Sequence, residues 1–160
     1  MLGALTLLAA CGGNASSAAL VDSVRDGDTI LLANGVRVRL VQVDAPELHD
    51  ECWGEEAAAA LARLVRRGTE LGLEADTRLD AVDRHGRLLR YAHAAGRNVN
   101  IELVRLGAAA PYFFRGARGR YAEELLAAAR LARARRRGLW GACPRAELRP
   151  ARAIDTGQAR

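Results

Sequence analysis

The sequence predicts an α+β fold: a five-stranded barrel with three helices, one between strands three and four and two at the C-terminal end. Three observations predict it. The turn pairs Asp26-Gly27 and Asn34-Gly35 split residues 20–43 into three alternating runs, which reads as a three-stranded meander. A helical segment follows, and then two more alternating runs, residues 69–75 and 87–95. Two helical segments close the order.

Each element has local support. Asp-Gly and Asn-Gly suit type I′ turns, whose twist matches the flanking strands, so tight hairpins are expected at both places. Glu55 and Glu56 favour the start of the first helix, and Ala57, Ala58, Leu61, Leu64 and Val65 give it one apolar face. Arg63, Arg66 and Arg67 suit its C-terminal end, and Gly68 stops it. Asn98 or Asn100 can cap a second helix through Leu106, with Gly107 beyond it. The third helix is expected over about residues 119–137, with Tyr121, Leu125, Ala128, Ala129 and Ala132 on one face. The tail, residues 145–160, is polar and reads as flexible. Three strands, a helix and two strands is the order of an OB-fold. That architecture often binds nucleic acid or sugars, but it does not fix function.

The 160 residues suffice for one domain with a core, here residues 20–144, and half are apolar, which excludes a disordered chain. No repeat at solenoid periods appears. The net charge is +5, and every cation is Arg, with no Lys. The Arg bias fits a GC-rich coding sequence, and the positive charge favours a polyanionic partner only weakly.

Residues 1–10 are apolar and uncharged, and too short to cross a bilayer as a helix. Cys11 follows Leu8-Ala9-Ala10 and precedes Gly12-Gly13-Asn14, an order that resembles a bacterial lipobox without the usual positive n-region. Residues 1–19 are therefore expected to be a lipoprotein-type signal segment and tether, with lipid on Cys11 and an exported, cell-envelope or secreted product. With Cys11 lipidated, Cys52 and Cys143 remain as a pair that an oxidising compartment can bridge. A zinc site at His49 and Cys52 lacks a second ligand pair at suitable spacing and is set aside.

The chemistry-bearing residues cluster at strand ends. Asp28 follows the first turn, and Asp44 and Glu47 follow the third strand, so two consecutive hairpins bring them toward one rim. Asp28 and Asp44, with a backbone carbonyl at Ala45, form an oxygen set that suits calcium. Pro46 fixes its own φ and so aims Glu47. Arg39 shares strand parity with Val41 and Val43, which predicts a guanidinium in a partly desolvated pocket, able to take two phosphate oxygens. Arg87 follows the Gly86 turn at the start of a strand and can approach the same place.

The segments VRDGDTI, VRLVQVDAPE, GEEA, DRHGRLLRY, NVNIELVRLG and RRGLWG resemble, in order and over roughly residues 20–143, the staphylococcal-nuclease-like (thermonuclease) family. The resemblance implies calcium at Asp28, Asp44 and Ala45, Glu47 as general base on water, and Arg39 and Arg87 on the scissile phosphate. It implies a monomeric nuclease cutting DNA and RNA at the 5′ P–O bond to leave 3′-phosphates, with membrane contact only through the lipid anchor. Departures from the family's pattern are Ala45 where Thr is frequent, a shorter loop over Leu48 to Trp53, and His85 in place of a Tyr. Stacking against the substrate then falls to Tyr112 or Phe113, with Arg84 and His85 as further contacts.

Taken singly, each residue has an ordinary structural role: Asp28 in a turn, Arg39 on a strand surface, Glu47 in a solvated loop. Their joint occurrence in family order is what favours catalysis. The alternative is a non-catalytic OB-fold module binding nucleic acid on the cell envelope. Such a module would be expected to lack one of the acids or phosphate arginines, and none is missing here.

Overall fold

The computed structural model describes residues 19–158. The signal and tether segment (apart from Ala19) and the expected lipid site Cys11 lie outside the described residues. Eight strands occur in chain order: β1 (Ala19–Val24), β2 (Thr29–Leu32), β3 (Arg37–Leu40), β4 (Val43–Asp44), β5 (Glu70–Glu74), β6 (Leu88–Ala94), β7 (Arg97–Asn98) and β8 (Ala110–Pro111). The helices are α1 (Gly54–Leu64), α2 (Val99–Leu106), α3 (Ala122–Ala134) and the single turn α4 (Leu139–Ala142). Strands β3-β2-β1-β5-β6 pair in that order, and β3 returns to β6 in parallel, Arg39 opposite Leu89, so the five strands close into a barrel. This is the predicted OB-fold with its helix between the third and fourth barrel strands.

Alternation decides what fills the barrel. Val21, Ile30, Val38, Leu40 and Leu71 point inward and are buried, joined by Leu61 of α1 and Leu103 of α2. Asn98 is the cap of α2: its side chain accepts the Ile101 amide at 3.1 Å, and Gly107 ends the helix at φ 71°. Asn100, the other candidate, is fully buried instead. It accepts the Ala92 amide at 3.0 Å and donates to the Val41 carbonyl at 2.8 Å, tying β6 to the chain just after β3.

Neither hairpin has the expected type I′ turn. That turn needs positive φ at both central residues, and neither Asp26 nor Asn34 has it. At the second hairpin only Gly35 is left-handed, at φ 81°, and its amide bonds the Leu32 carbonyl at 2.9 Å. At the first, Asp26 accepts the Asp28 amide at 3.0 Å, and Gly27 serves close approach. A Cβ on Gly27 would lie 2.5 Å from that of Ala45 and 2.9 Å from that of Ala57.

The tail also departs from expectation. Its described part is docked on the domain, because its amides find partners and Ile154 finds an apolar seat. Ile154 is buried with Ala110, Leu139 and Cys143. The Phe113 amide donates to Pro150, the Cys52 amide donates to Gly157, and the Thr156 hydroxyl donates to the Cys52 carbonyl. Cys52 and Cys143 are bonded, with Cα atoms 5.9 Å apart across 91 residues of sequence. Closing so long a loop stabilises the fold by up to about 4–5 kcal/mol in the chain-entropy account. No helix among the described residues is long and apolar enough to cross a membrane.

Gly27 yields a prediction. Gly27→Ala is expected to cost about 1–3 kcal/mol through overpacking, against about 1 kcal/mol for Gly35→Ala, where only backbone strain arises. Thermal melts of the two variants check this: equal losses would show that the close approach at Gly27 is not a constraint.

Candidate active site

Three neighbouring segments deliver the acids and one arginine to a single rim. Arg39, next to last in β3, donates from Nη2 to Asp44 Oδ1 at 2.7 Å and to Asp28 Oδ2 at 2.9 Å. Its Nη1 donates to the carbonyls of Leu40 at 2.7 Å and Val43 at 2.6 Å. The side chain is only 12% exposed. The burial matches the sequence reading, but the reason for it does not. Val38 and Leu40 are the core residues of β3, so Arg39 lies on the opposite face. Parity does not carry through to Val43 because Gln42 is left-handed, at φ 62°, and breaks the strand. Gln42 is buried in that conformation by its own bonds: Nε2 donates to Ala117, and Oε1 accepts from Tyr91 and Gly119. The kink turns the chain so that Asp44 faces back on Arg39.

Asp28 is the most enclosed acid of this cluster. Its Oδ2 accepts the Ala45 amide at 3.0 Å, and its Oδ1 accepts the Thr29 hydroxyl at 3.1 Å. Burial pushes its pKa up to about 7; Arg39 opposes this, and Asp26 and Asp44 add to it. Glu47 is exposed and also raised, by desolvation first and then by Asp26, Asp44 and Glu51. Asp26, Asp28, Asp44 and Glu47 thus share one neighbourhood, in which Arg39 contacts Asp28 and Asp44.

Arg87 approaches from the DRHGR turn. Asp83 accepts the amides of His85 and Arg87 at 2.9 Å each, and Arg87 Nε at 2.6 Å. Burial alone would raise the Asp83 carboxyl, but these bonds outweigh it and hold it below the usual range. Arg87 Nη1 reaches Thr29 Oγ1 at 3.3 Å, so Thr29 links Arg87 to Asp28. The acids, Arg39 and Arg87 line one cleft of about 1010 Å³, together with Arg84, His85 and Tyr112.

Two sequence expectations fare differently here. Phe113 does not line the cleft: it is buried against Ala122 and Leu126. Phe114 lines it instead, 54% exposed, with its ring 6.4 Å from that of Tyr112 and Arg115 stacked 5.1 Å above it. Alternation would have found it, since Tyr112 and Phe114 share parity. At Ala45 the group observed to act is the amide, donating to Asp28.

The carboxylate oxygens of Asp28 and Asp44 suit a hard cation. Among the described residues, no group of three or more His, Cys, Asp or Glu side chains is placed to hold a metal, so further ligands would have to come from backbone or water.

Comparison with known proteins meets this geometry. The family model described as staphylococcal nuclease homologue matches residues 37–142. The chain belongs to this family. The matched residues run from β3 through α4 and include Arg39, Asp44, Glu47 and Arg87. The chain is similar to Protein ParB of Escherichia coli, 41% identical over 128 residues, covering 72% of this chain and 67% of that protein. Endonuclease YhcR of Bacillus subtilis is 37% identical over 109 residues, 59% of this chain but 9% of that protein. An uncharacterized endonuclease of Haemophilus influenzae is 30% identical over 112 residues, 67% of this chain and 58% of that protein. The chain thus spans about two thirds of the first relative and smaller shares of the others.

The charge crowding yields a prediction. With a folded pKa raised above the ordinary carboxylate value, Asp28 favours folding fully below that ordinary value, and this contribution is lost as pH rises through about 7. In chelator, Asp28→Asn is therefore expected to melt with the wild type near pH 4 and about 3–8 °C above it at pH 8. Melting curves across that range check it, and a gap that does not change with pH would contradict it.

Proposed function

We propose that this chain is an exported, calcium-dependent endonuclease that hydrolyses DNA and RNA. The observation that carries the reading is Arg39 shared between Asp28 and Asp44, at 2.9 and 2.7 Å, in the cleft that also holds Glu47 and Arg87. A binding module gains nothing from setting Asp26, Asp28, Asp44 and Glu47 beside the arginines that would meet a polyanion. A phosphoryl-transfer site does, because a base and a cation site must sit beside the phosphate.

Calcium, when bound by the Asp28 and Asp44 carboxylates, would supply Lewis-acid stabilisation of charge on the phosphoryl oxygens. Glu47 takes a proton from water as the water oxygen forms a bond to phosphorus in line. The 5′ P–O bond breaks, the 5′ oxygen takes up a proton, and a 3′-phosphate and a 5′-hydroxyl result. The raised Glu47 carboxyl makes it a better proton acceptor once ionised than an ordinary carboxylate. Arg87 orients the phosphate and strengthens its hold as negative charge grows, while Arg39, whose terminal nitrogens are spent on Asp28, Asp44 and two carbonyls, fixes those acids and adds its positive charge beside the phosphate. Tyr112 and Phe114 offer stacking faces for bases. The Cys52–Cys143 bond supports an oxidising, exported location, and the Cys11 pattern supports lipid anchoring of a monomeric chain.

Glu47→Gln keeps shape but not the base, so kcat on DNA with calcium is expected to fall about 10²–10⁴-fold while affinity holds or improves. Turnover equal to wild type in this variant would remove Glu47 from the base role. A nuclease gel with calcium or chelator separates the enzyme from the binding module, which leaves DNA uncut in both lanes. Phe114→Ala is expected to weaken oligonucleotide binding by about 1–3 kcal/mol without lowering Tm. Phe113→Ala is expected to do the reverse, losing about 3–5 kcal/mol of stability. Binding titrations and melts on the same samples decide between the two rings.

A further inference from the structure

We infer that the C-terminal strap, residues 145–158, is a positioning element of the active site, acting through the backbone amide of Ile154 on the Asp44 carboxylate; this rests on the nuclease reading. Asp44 has two side-chain partners. Oδ1 takes Arg39 Nη2 at 2.7 Å, and Oδ2 takes the Ile154 amide at 2.9 Å, from a residue 110 positions away. Two bonds from two directions fix both torsions of a short side chain, and each oxygen keeps a second lone pair for a ligand. With the amide removed, Asp44 would hang from Arg39 alone, on a strand of two residues.

The strap is built to deliver that amide. Both of its ends converge on Cys52. Cys143, just before it, is bonded to Cys52 through sulfur, and Gly157 and Thr156 bond the Cys52 backbone at 2.8 and 2.7 Å. Between these anchors Arg145 pairs with Asp155 at 3.1 Å, and the Ile154 side chain is buried beside Leu139 and Cys143. The Pro150 carbonyl accepts the Phe113 amide at 2.6 Å, between Tyr112 and Phe114. One segment thus braces both an acid of the cleft and the aromatic ledge that follows the strand paired with it. Neither role is legible in its polar composition, because the groups that act are backbone.

The test uses full-length oxidised protein with DNA and calcium. Ile154→Pro removes the amide, a stop codon at Arg145 removes the strap, and Ile154→Val is the conservative variant that keeps both amide and apolar anchor. Misplacement of a cation-holding acid is expected to lower kcat about 10- to 100-fold in the first two, with KM for DNA within about twofold. Ile154→Val is expected to stay within about threefold of wild type. A purely structural strap would instead lower Tm and leave kcat of the folded protein unchanged, which would overturn the inference. Hydrogen exchange at the Ile154 amide gives a readout independent of turnover: slow in wild type, and at least about tenfold faster in Asp44→Ala. If the wild type leaves DNA uncut, the nuclease reading fails. The exchange comparison then decides the brace alone, and an amide that exchanges equally fast in both proteins would sink it.

Discussion

One guanidinium answers for two carboxylates, and the site is arranged around that shortage. Arg39 is nearly enclosed, touches both Asp28 and Asp44, and spends its other terminal nitrogen on two carbonyls. Removing Arg39 would leave two acids with no compensating charge, a loss that in buried pairs typically costs about 3–5 kcal/mol. The barrel supplies the geometry. The pairing of β2 with β3 sets Thr29 opposite Arg39, which places Asp28 one residue from the guanidinium. The Gln42 kink then returns Asp44 to it. Even so, Asp28 keeps a raised pKa, so the fold carries an acid it would be more stable without. Sites that bind cations or stabilise charge often hold such strain, because the missing compensation is what the ligand provides.

The surrounding groups read as devices that keep this cluster in place. Gly27 lets the Asp26–Asp28 turn sit directly on Ala45 and on α1. Asn100 ties Val41 to β6 across the barrel closure. Thr29 couples Arg87 to Asp28, while Asp83 holds Arg87 and shapes its turn at once. The strap completes the set from the far end of the chain. The family match, residues 37–142, runs from β3 through α4 and includes neither β1 and β2 nor this last element.

Much of this was legible in the sequence, and the failures have definite causes. The barrel order could be found, and so could the gathering of DGD, DAPE and Arg87 toward one rim, because each of these sits beside a Gly or Pro at a strand end. Arg39 was placed in a desolvated pocket by a parity argument that one left-handed residue, Gln42, invalidates. Its conformation is held by Ala117, Tyr91 and Gly119, all distant in sequence, so no local signal announces it. Phe113 and Phe114 are identical in type, and which of them enters the core depends on α3, where Ala122 and Leu126 receive the first. The tail looked loose because its composition is polar, yet its docking rests on main-chain donors and a single isoleucine.

We propose that a buried, under-compensated carboxylate, Asp28, is the cation-holding core of this site. Carboxyl carbon NMR of Asp28 across pH, with and without calcium, tests it most directly. The account predicts a midpoint near about 7 in chelator and a fall of at least about two pH units at saturating calcium. A midpoint near the ordinary aspartate value of about 4, unmoved by calcium, would contradict it.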